Sequence, residues 1–123
     1  MPKLESEFKP ASSIASQASH NGTLTQRVLS HDSDTGDKTV LLAHSPGAKW
    51  GNTEDDETST CIHEYWEECY IIEGRLYDVG KKLWFEAGSY CCRPPGMVHG
   101  PYRADEVVGC REVAWVRYPA KTV

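Results

Sequence analysis

The sequence has few clustered positive charges and no long apolar run. Its 13 lysines and arginines are outnumbered by 18 aspartates and glutamates, which gives a net charge of −5 over 123 residues. Binding to nucleic acid phosphates depends on clustered basic side chains, and only Lys81 and Lys82 are adjacent here. No apolar stretch approaches the ~20 residues of a membrane helix. We therefore expect neither nucleic acid nor membranes as partners.

Signals of secretion are also missing. The first 22 residues contain no continuous apolar segment, so we expect no secretory signal, and their Ser, Ala and Pro content predicts a loose N-terminal arm over 1–22. The five cysteines show no repeated spacing of the kind that a disulfide framework has. We interpret them as reduced thiols of a cytoplasmic protein.

No segment shows a convincing helical period, and short apolar runs alternate with turn residues instead. Many short strands with closely spaced turns are typical of an all-β sandwich or barrel. We predict one antiparallel β-barrel or jelly-roll domain over 23–123, in which the first two strands form a hairpin. The predicted strands are Thr23–Ser30, Lys38–His44, Ser59–His63, Glu68–Glu73, Leu76–Val79, Lys82–Phe85, Ser89–Arg93, Val98–Tyr102 and Val107–Tyr118.

Two segments have more than one interpretation. The acidic stretch 48–60 is best explained as a solvated loop, and the alternative is a flap over a site with Trp50 as its apolar face. Val107–Tyr118 carries apolar residues on both strand faces, which is typical of a strand buried on both sides. A second subunit covering its outer face would explain this pattern, so we expect a homodimer.

The chemistry of the sequence is concentrated in 61–74, CIHEYWEECYIIEG. Side chains alternate between faces along a strand, so Cys61, His63 and Glu67 share a face with the apolar Ile71. A thiol, an imidazole and a carboxylate are all types of metal ligand. A further imidazole, His99, follows a tight turn, and a barrel could bring it beside the first strand.

The spacing of these residues resembles the two motifs of the cupin superfamily. Cys61-x-His63-x3-Glu67-x6-Gly74 is similar to the first motif, and Gly88-x5-Pro94-x-Gly96-x2-His99 is similar to the second. Three positions depart from the family pattern. Cys61 stands in place of the first His, Asp55 in place of the opening Gly, and Arg103 in place of the closing Asn.

The resemblance implies a divalent metal ion held by His63, Glu67 and His99. Two imidazoles and one carboxylate with open positions suit non-haem Fe2+, which we favour. Coordination by Cys61 as a fourth ligand stays open, because a thiol that only fills core space explains the residue equally well. A thiolate would favour zinc, copper or a thiolate-ligated iron, and Zn2+, Ni2+ and Mn2+ are all open alternatives.

The resemblance further implies an enzyme with a small-molecule substrate. The chain is similar to small cupin dioxygenases that act on diketones and hydroxyketones. If a strand continues from His99 through Pro101, Arg103 shares a face with His99 and would grip a substrate carboxylate or enolate with its guanidinium fork. A rim arginine paired with Asp105 or Glu106 explains the residue equally well. The first alternative is an isomerase, lyase, decarboxylase or cyclase that uses the same metal without O2. The second is a non-catalytic zinc-binding module of the kind attached to anti-sigma factors.

Overall fold

A computed structural model describes residues 2–52 and 58–120, and this part of the chain is almost entirely β-sheet. A single 3₁₀ turn at Ala11–Ser13 precedes the first strand within the described residues. The strands are β1 Gln17–Ser19, β2 Leu24–His31, β3 Lys38–His44, β4 Lys49–Trp50, β5 Trp66–Asp78, β6 Leu83–Glu86, β7 Tyr90–Arg93, β8 Tyr102–Ala104 and β9 Cys110–Arg117.

The strands form a curled antiparallel sheet that is organised around β5. One part of the sheet runs in the order β1-β2-β3-β9-β5, and β7 also pairs with β5 there. The other part consists of β6, β5, β8 and β4. Because every pairing is antiparallel and the sheet curls on itself, the predicted all-β class is confirmed.

Strand β5 belongs to both parts because it changes direction near its middle. Its register with β9 shifts between Ile71 and Glu73, as a β-bulge requires. Gly74 follows with a φ of +75°, and a Cβ built there would lie 2.0 Å from the carbonyl oxygen of Gly109. A residue without a side chain is therefore needed where β5 passes from one part of the sheet to the other.

The predicted strands are found in most places, with two corrections. The β2–β3 hairpin is confirmed, with Leu24 opposite His44. The prediction that Gly74 separates two strands is wrong, because the bulge lets one strand continue through it. The strands predicted at 59–63 and around His99 are reduced to one isolated bridge between Cys61 and His99.

The N-terminal segment is more closely attached to the sheet than its composition indicates. Residues 17–19, inside the predicted arm 1–22, form β1 and pair with β2. Near the other end of the arm, the Lys3 ammonium donates a hydrogen bond to the Thr39 hydroxyl on β3, at 3.1 Å. The arm is therefore attached to the sheet at two places, β3 and β2.

Strand β9 is buried on one face only. Cys110, Glu112, Ala114 and Val116 are inside, whereas the alternate residues face outward and Trp115 is 41% exposed. In the single chain the apolar residues of the outer face are thus partly open to solvent, and burial of this face by a second subunit stays a prediction.

One buried apolar cluster joins residues from both parts of the curled sheet. It contains Ala48, Cys61, Ile71, Leu76, Tyr102, Ala104 and Cys110, with Trp50 and Phe85 packed against it. Among the described residues, no helix is long and apolar enough to cross a membrane.

Candidate metal centre

The two sequence motifs meet through backbone hydrogen bonds. The carbonyl oxygen of His63 accepts the N–H of Gly96 at 2.9 Å, which ties the segment before β5 to the Pro94–Gly96 turn. Cys61 and His99 exchange N–H···O bonds of 2.6 and 3.0 Å. The two segments that carry the imidazoles are therefore fixed side by side although 36 residues separate the two histidines in sequence.

His63, Glu67 and His99 converge on one point. Their potential ligand atoms all lie within 4.8 Å of one another, and the centroids of the two imidazole rings are 5.1 Å apart. Glu67 is the second residue of β5 and faces inward, as its shared face with Cys69 and Ile71 predicts. The structure thus brings together the two-His, one-carboxylate set.

The chemical state of His99 fits a metal ion. Its Nε2 atom is buried and has no hydrogen-bond partner, and a buried polar atom without a partner is costly and uncommon. Burial, together with the charges of Arg93 and His63, lowers the pKa of His99 to about 3. The imidazole is therefore neutral near pH 7, which is the state that binds metals.

Cys61 lies beside these three residues but is not part of the group whose donor atoms converge. Its side chain belongs to the buried apolar cluster and also borders the cavity that contains the three donors. Burial raises the pKa of its thiol to about 11, so the thiol keeps its proton at neutral pH. Coordination by Cys61 stays a prediction.

Arg103 is not brought to the candidate ligands. Successive strand residues point to opposite faces, and in β8 the inward position is taken by Tyr102, which is 4% exposed. The guanidinium of Arg103 instead stacks over the ring of Tyr77 at 4.5 Å. The alternation of the sequence predicted that Arg103 shares a face with His99, because it assumed a regular strand between them. In the structure β8 begins only at Tyr102. Asp55, the other departure from the family pattern, lies outside the described residues.

Arg93 and Tyr102 occupy the place that was expected for Arg103. Nη1 of Arg93 donates to Oε1 of Glu67 at 2.8 Å, and its Nη2 donates to the Tyr102 hydroxyl oxygen at 2.8 Å. That oxygen is also 2.8 Å from Nδ1 of His99. Sequence reasoning missed both residues, although Glu67 and Arg93 are direct register partners on β5 and β7.

A second ionisable pair faces the same interior. Nε2 of His44 lies 3.6 Å from Oε2 of Glu112, and both residues are buried. Burial alone would raise the pKa of Glu112, but the nearby imidazole of His44 and the charge of Arg93 lower it. The alternation of β9 could have revealed Glu112, because it shares a face with Cys110, Ala114 and Val116.

The candidate ligands border a cavity of about 210 Å³. Val40, Leu42, Ala114 and Val116 give it apolar walls, and Trp50 stacks on His44 with ring centroids 3.8 Å apart. Trp50 therefore borders the cavity from β4, as the flap interpretation required, although residues 53–57 of that loop are not described. A second cavity of about 100 Å³ shares Arg93, His99, Tyr102 and Glu112 with the first.

Comparison with known families agrees with this geometry. A model of the ChrR cupin-like domain matches residues 10–112, which is most of the chain. The chain belongs to the ChrR cupin-like family. The match covers β1 to β8, the start of β9 and all of the candidate ligands, so the resemblance to cupins is confirmed. No curated protein gives a significant match to this ChrR cupin-like chain.

Solved structures with the cupin fold cover nearly the whole chain. An RmlC-like cupin from Shewanella frigidimarina is 18% identical with a TM-score of 0.67, over 95% of each chain. The polyketide cyclase RemF from Streptomyces resistomycificus is 19% identical with a TM-score of 0.67, over 97% of this chain and 86% of its own. An acetylacetone dioxygenase from Acinetobacter johnsonii is 16% identical with a TM-score of 0.63, over 93% and 74%.

Proposed function

We propose that this protein is a metal-dependent cupin enzyme that acts on a small oxygenated substrate, such as a diketone or hydroxyketone. We further propose that the metal is Fe2+, held by His63, Glu67 and His99, and that the enzyme is a dioxygenase. The observation that carries the proposal is the convergence of these three donors within 4.8 Å at the wall of a cavity.

The donor set supports iron in particular. Two imidazoles and one carboxylate are the donor set of non-haem Fe2+ oxygenases, in which the ion has positions left for other ligands. When bound, such an ion would supply Lewis-acid polarisation of a substrate oxygen and redox chemistry with O2. Arg93 holds Oε1 of Glu67, so Glu67 would meet the ion through its other oxygen.

The remaining cavity residues would bind and orient the substrate. Apolar side chains on β3 and β9 favour the carbon skeleton of a small ketone and exclude water from it. The pair formed by His44 Nε2 and Glu112 Oε2 lies in the same cavity. It offers a place to hold a proton that an enolisable substrate releases.

Structural likeness supports two reaction types. The acetylacetone dioxygenase is named for a diketone substrate and a dioxygenase reaction, and its fold covers 93% of this chain. The polyketide cyclase, whose fold covers 97% of this chain, is named for a cyclisation, and this supports the alternative of a reaction without O2. An isomerase, lyase or decarboxylase would use the same ligands in the same way.

The test begins with metal analysis of freshly purified protein, followed by loading of the metal-free protein with Fe2+ under nitrogen. We expect about one iron per chain and O2 consumption on addition of pentane-2,4-dione or a hydroxylated aromatic ketone. Replacement Glu67→Ala should reduce both the bound iron and the oxygen uptake by at least tenfold. Glu68→Ala is the matched control, because Glu68 is the adjacent glutamate on the exposed face of β5.

Three results would contradict the dioxygenase. Turnover of the same ketones by zinc- or nickel-loaded protein without oxygen would favour the O2-independent alternative. Tight zinc binding without turnover of any tested ketone would favour a non-catalytic zinc module. Unchanged metal content in Glu67→Ala would show that the metal centre itself is assigned wrongly.

The compartment is a separate proposal. All five cysteines are free thiols, and free thiols persist mainly in reducing compartments. This supports the placement of the protein in the cytoplasm.

A further inference from the structure

A chain of hydrogen bonds joins two of the candidate ligands without passing through the metal position. It runs from Oε1 of Glu67 to Nη1 of Arg93, from Nη2 of Arg93 to the Tyr102 oxygen, and from that oxygen to Nδ1 of His99, with 2.8 Å at each contact. The four residues come from β5, β7, β8 and the segment before β8. Side chains from three separate strands thus take part in the hydrogen bonds of one site.

The direction of these bonds follows from the chemistry of arginine. A guanidinium only donates hydrogen bonds, so Arg93 is the donor to both Glu67 and Tyr102. The bond between Tyr102 and His99 has no such constraint, because the proton could belong to the phenol or to Nδ1. The position of that proton decides whether Nε2 of His99 has a free lone pair.

We propose that Arg93 and Tyr102 are positioning residues that preset Glu67 and His99 for a cation. This inference rests on the proposed metal centre and adds two residues to it. Arg93 occupies one oxygen of Glu67 and turns the other toward the site. Tyr102 accepts the Nδ1 proton of His99, which leaves the lone pair of Nε2 directed at the position where the three donors converge.

The burial of the network explains why this arrangement would be effective. Tyr102 is 4% exposed and His99 is 7% exposed, and the side chains of Arg93 and Glu67 are 14% and 12% exposed. Little water is available to replace a lost partner, so a missing hydrogen bond leaves a buried polar atom unpaired. The backbone bonds between Cys61 and His99 already hold the main chain, which leaves rotation of the imidazole ring for Tyr102 to control.

The tautomer of His99 gives the inference a specific consequence. With a cation on Nε2, the Tyr102 oxygen accepts one hydrogen bond from Nδ1 of His99 and one from Nη2 of Arg93. Its own hydroxyl proton then points to neither residue. The metal-free protein can also adopt the opposite arrangement, in which Tyr102 donates to Nδ1 and Nε2 carries the proton.

The direct test is metal affinity, measured for Zn2+ and for Fe2+ by competition with a chromogenic chelator. We expect Tyr102→Phe and Arg93→Gln each to weaken binding about 10- to 100-fold, the range found when partners of ligating histidines are removed. The double variant should lose less affinity than the product of the two single fold-changes, because both residues act through one network. Arg93→Lys should lie between wild type and Arg93→Gln, since one ammonium cannot reach both oxygens in the same way.

The matched controls are Tyr70→Phe and Arg111→Gln. Tyr70 is an exposed tyrosine on β5, and Arg111 is an exposed arginine on β9 that pairs with Glu73. Both controls should bind the ions as wild type does. Circular dichroism melting of the metal-free variants identifies any loss of affinity that comes from unfolding.

Nitrogen-15 NMR of the histidine rings provides a readout that simple packing would not change. We expect the metal-free wild type to contain a substantial fraction of the Nδ1–H form of His99, and Tyr102→Phe to shift His99 toward the Nε2–H form. Wild-type affinity and an unchanged tautomer in folded Tyr102→Phe would overturn this inference alone. Failure of the wild-type protein to bind either ion would overturn the proposed metal centre as well.

Discussion

At the scale of single residues, the two adjacent glutamates at the start of β5 have different surroundings. Glu67 faces the interior and receives Arg93, whereas Glu68 is exposed and accepts a hydrogen bond from Tyr90. Strand alternation alone separates them. The predicted inward position of Glu67 therefore depended only on correct parity, which Ile71 and Cys69 fixed.

Cys61 allows a prediction at the same scale. Cys61→Ser should leave the number of bound metal ions unchanged, because its sulfur does not belong to the converging donors. The substitution should lower the free energy of unfolding by about 1 to 3 kcal/mol, since a hydroxyl would be buried without an assured partner. Metal analysis and urea denaturation measure the two effects, with the exposed Cys92→Ser as control. A loss of bound metal, or of a thiolate absorption band in the Co2+-loaded protein, would instead identify Cys61 as a ligand.

The positions of His63, Glu67 and His99 could be predicted from sequence, but the network around them could not. The ligands follow from spacing and alternation within two short segments. Arg93 and Tyr102 reach the site through the register of β7 on β5 and through the point at which β8 begins. Register is set by bulges and turns along the whole sheet, and one sequence does not reveal these.

At the scale of elements, β5 decides the architecture. Its first half pairs with β7 and β9, and its second half pairs with β6 and β8. The bulge between Ile71 and Glu73 and the positive φ of Gly74 make the change of direction between these halves. Glu67 lies at the start of this strand, and Ile71 and Leu76 of the apolar cluster lie further along it.

Gly74 gives a prediction at the element scale. Gly74→Ala should destabilise the protein by about 3 kcal/mol, because the new methyl group would meet the Gly109 carbonyl and the backbone would be strained. Gly47→Ala is the matched control, since Gly47 also has a positive φ but open space around it. It should cost about 1 kcal/mol from backbone strain alone. Equal losses in urea denaturation would show that the contact with Gly109 relaxes at no cost.

At the scale of the whole molecule, the outer face of the larger part of the sheet is partly apolar. Tyr70, Tyr90 and Trp115 are 43%, 57% and 41% exposed, and the register places Tyr70 between Tyr90 and Val113. Exposed apolar patches of this kind often mark interaction sites. We propose that a second copy of the chain covers this face in a homodimer.

The homodimer is testable by light scattering after size-exclusion chromatography. We expect the wild-type protein to elute with about twice the mass of one chain, and Trp115→Glu to shift it toward the monomer. Leu83→Glu, on β6 in the other part of the sheet, replaces a similarly exposed apolar residue and should leave the mass unchanged. A monomeric wild-type protein at high concentration would contradict the proposal.

The fold class was accessible from sequence because turn residues recur every few positions and no helical period competes with them. The sequence did not predict that two of the expected strands join into β5, because glycine at position 74 indicates a turn and a bulge equally well. The short strands β1 and β4 contain too few residues for a pattern to be recognised.

The polar side chains that line both cavities have a consequence for the size of molecule that could bind inside the curled sheet. Arg93, His99, Tyr102 and Glu112 form a common wall, and hydrogen bonds and buried charge hold that wall in place. We expect a ligand in the larger chamber to end against these side chains. Variants that remove Arg93 or Tyr102 to admit bulkier molecules should also weaken the proposed cation site, so that selectivity for small compounds and cation affinity would change together.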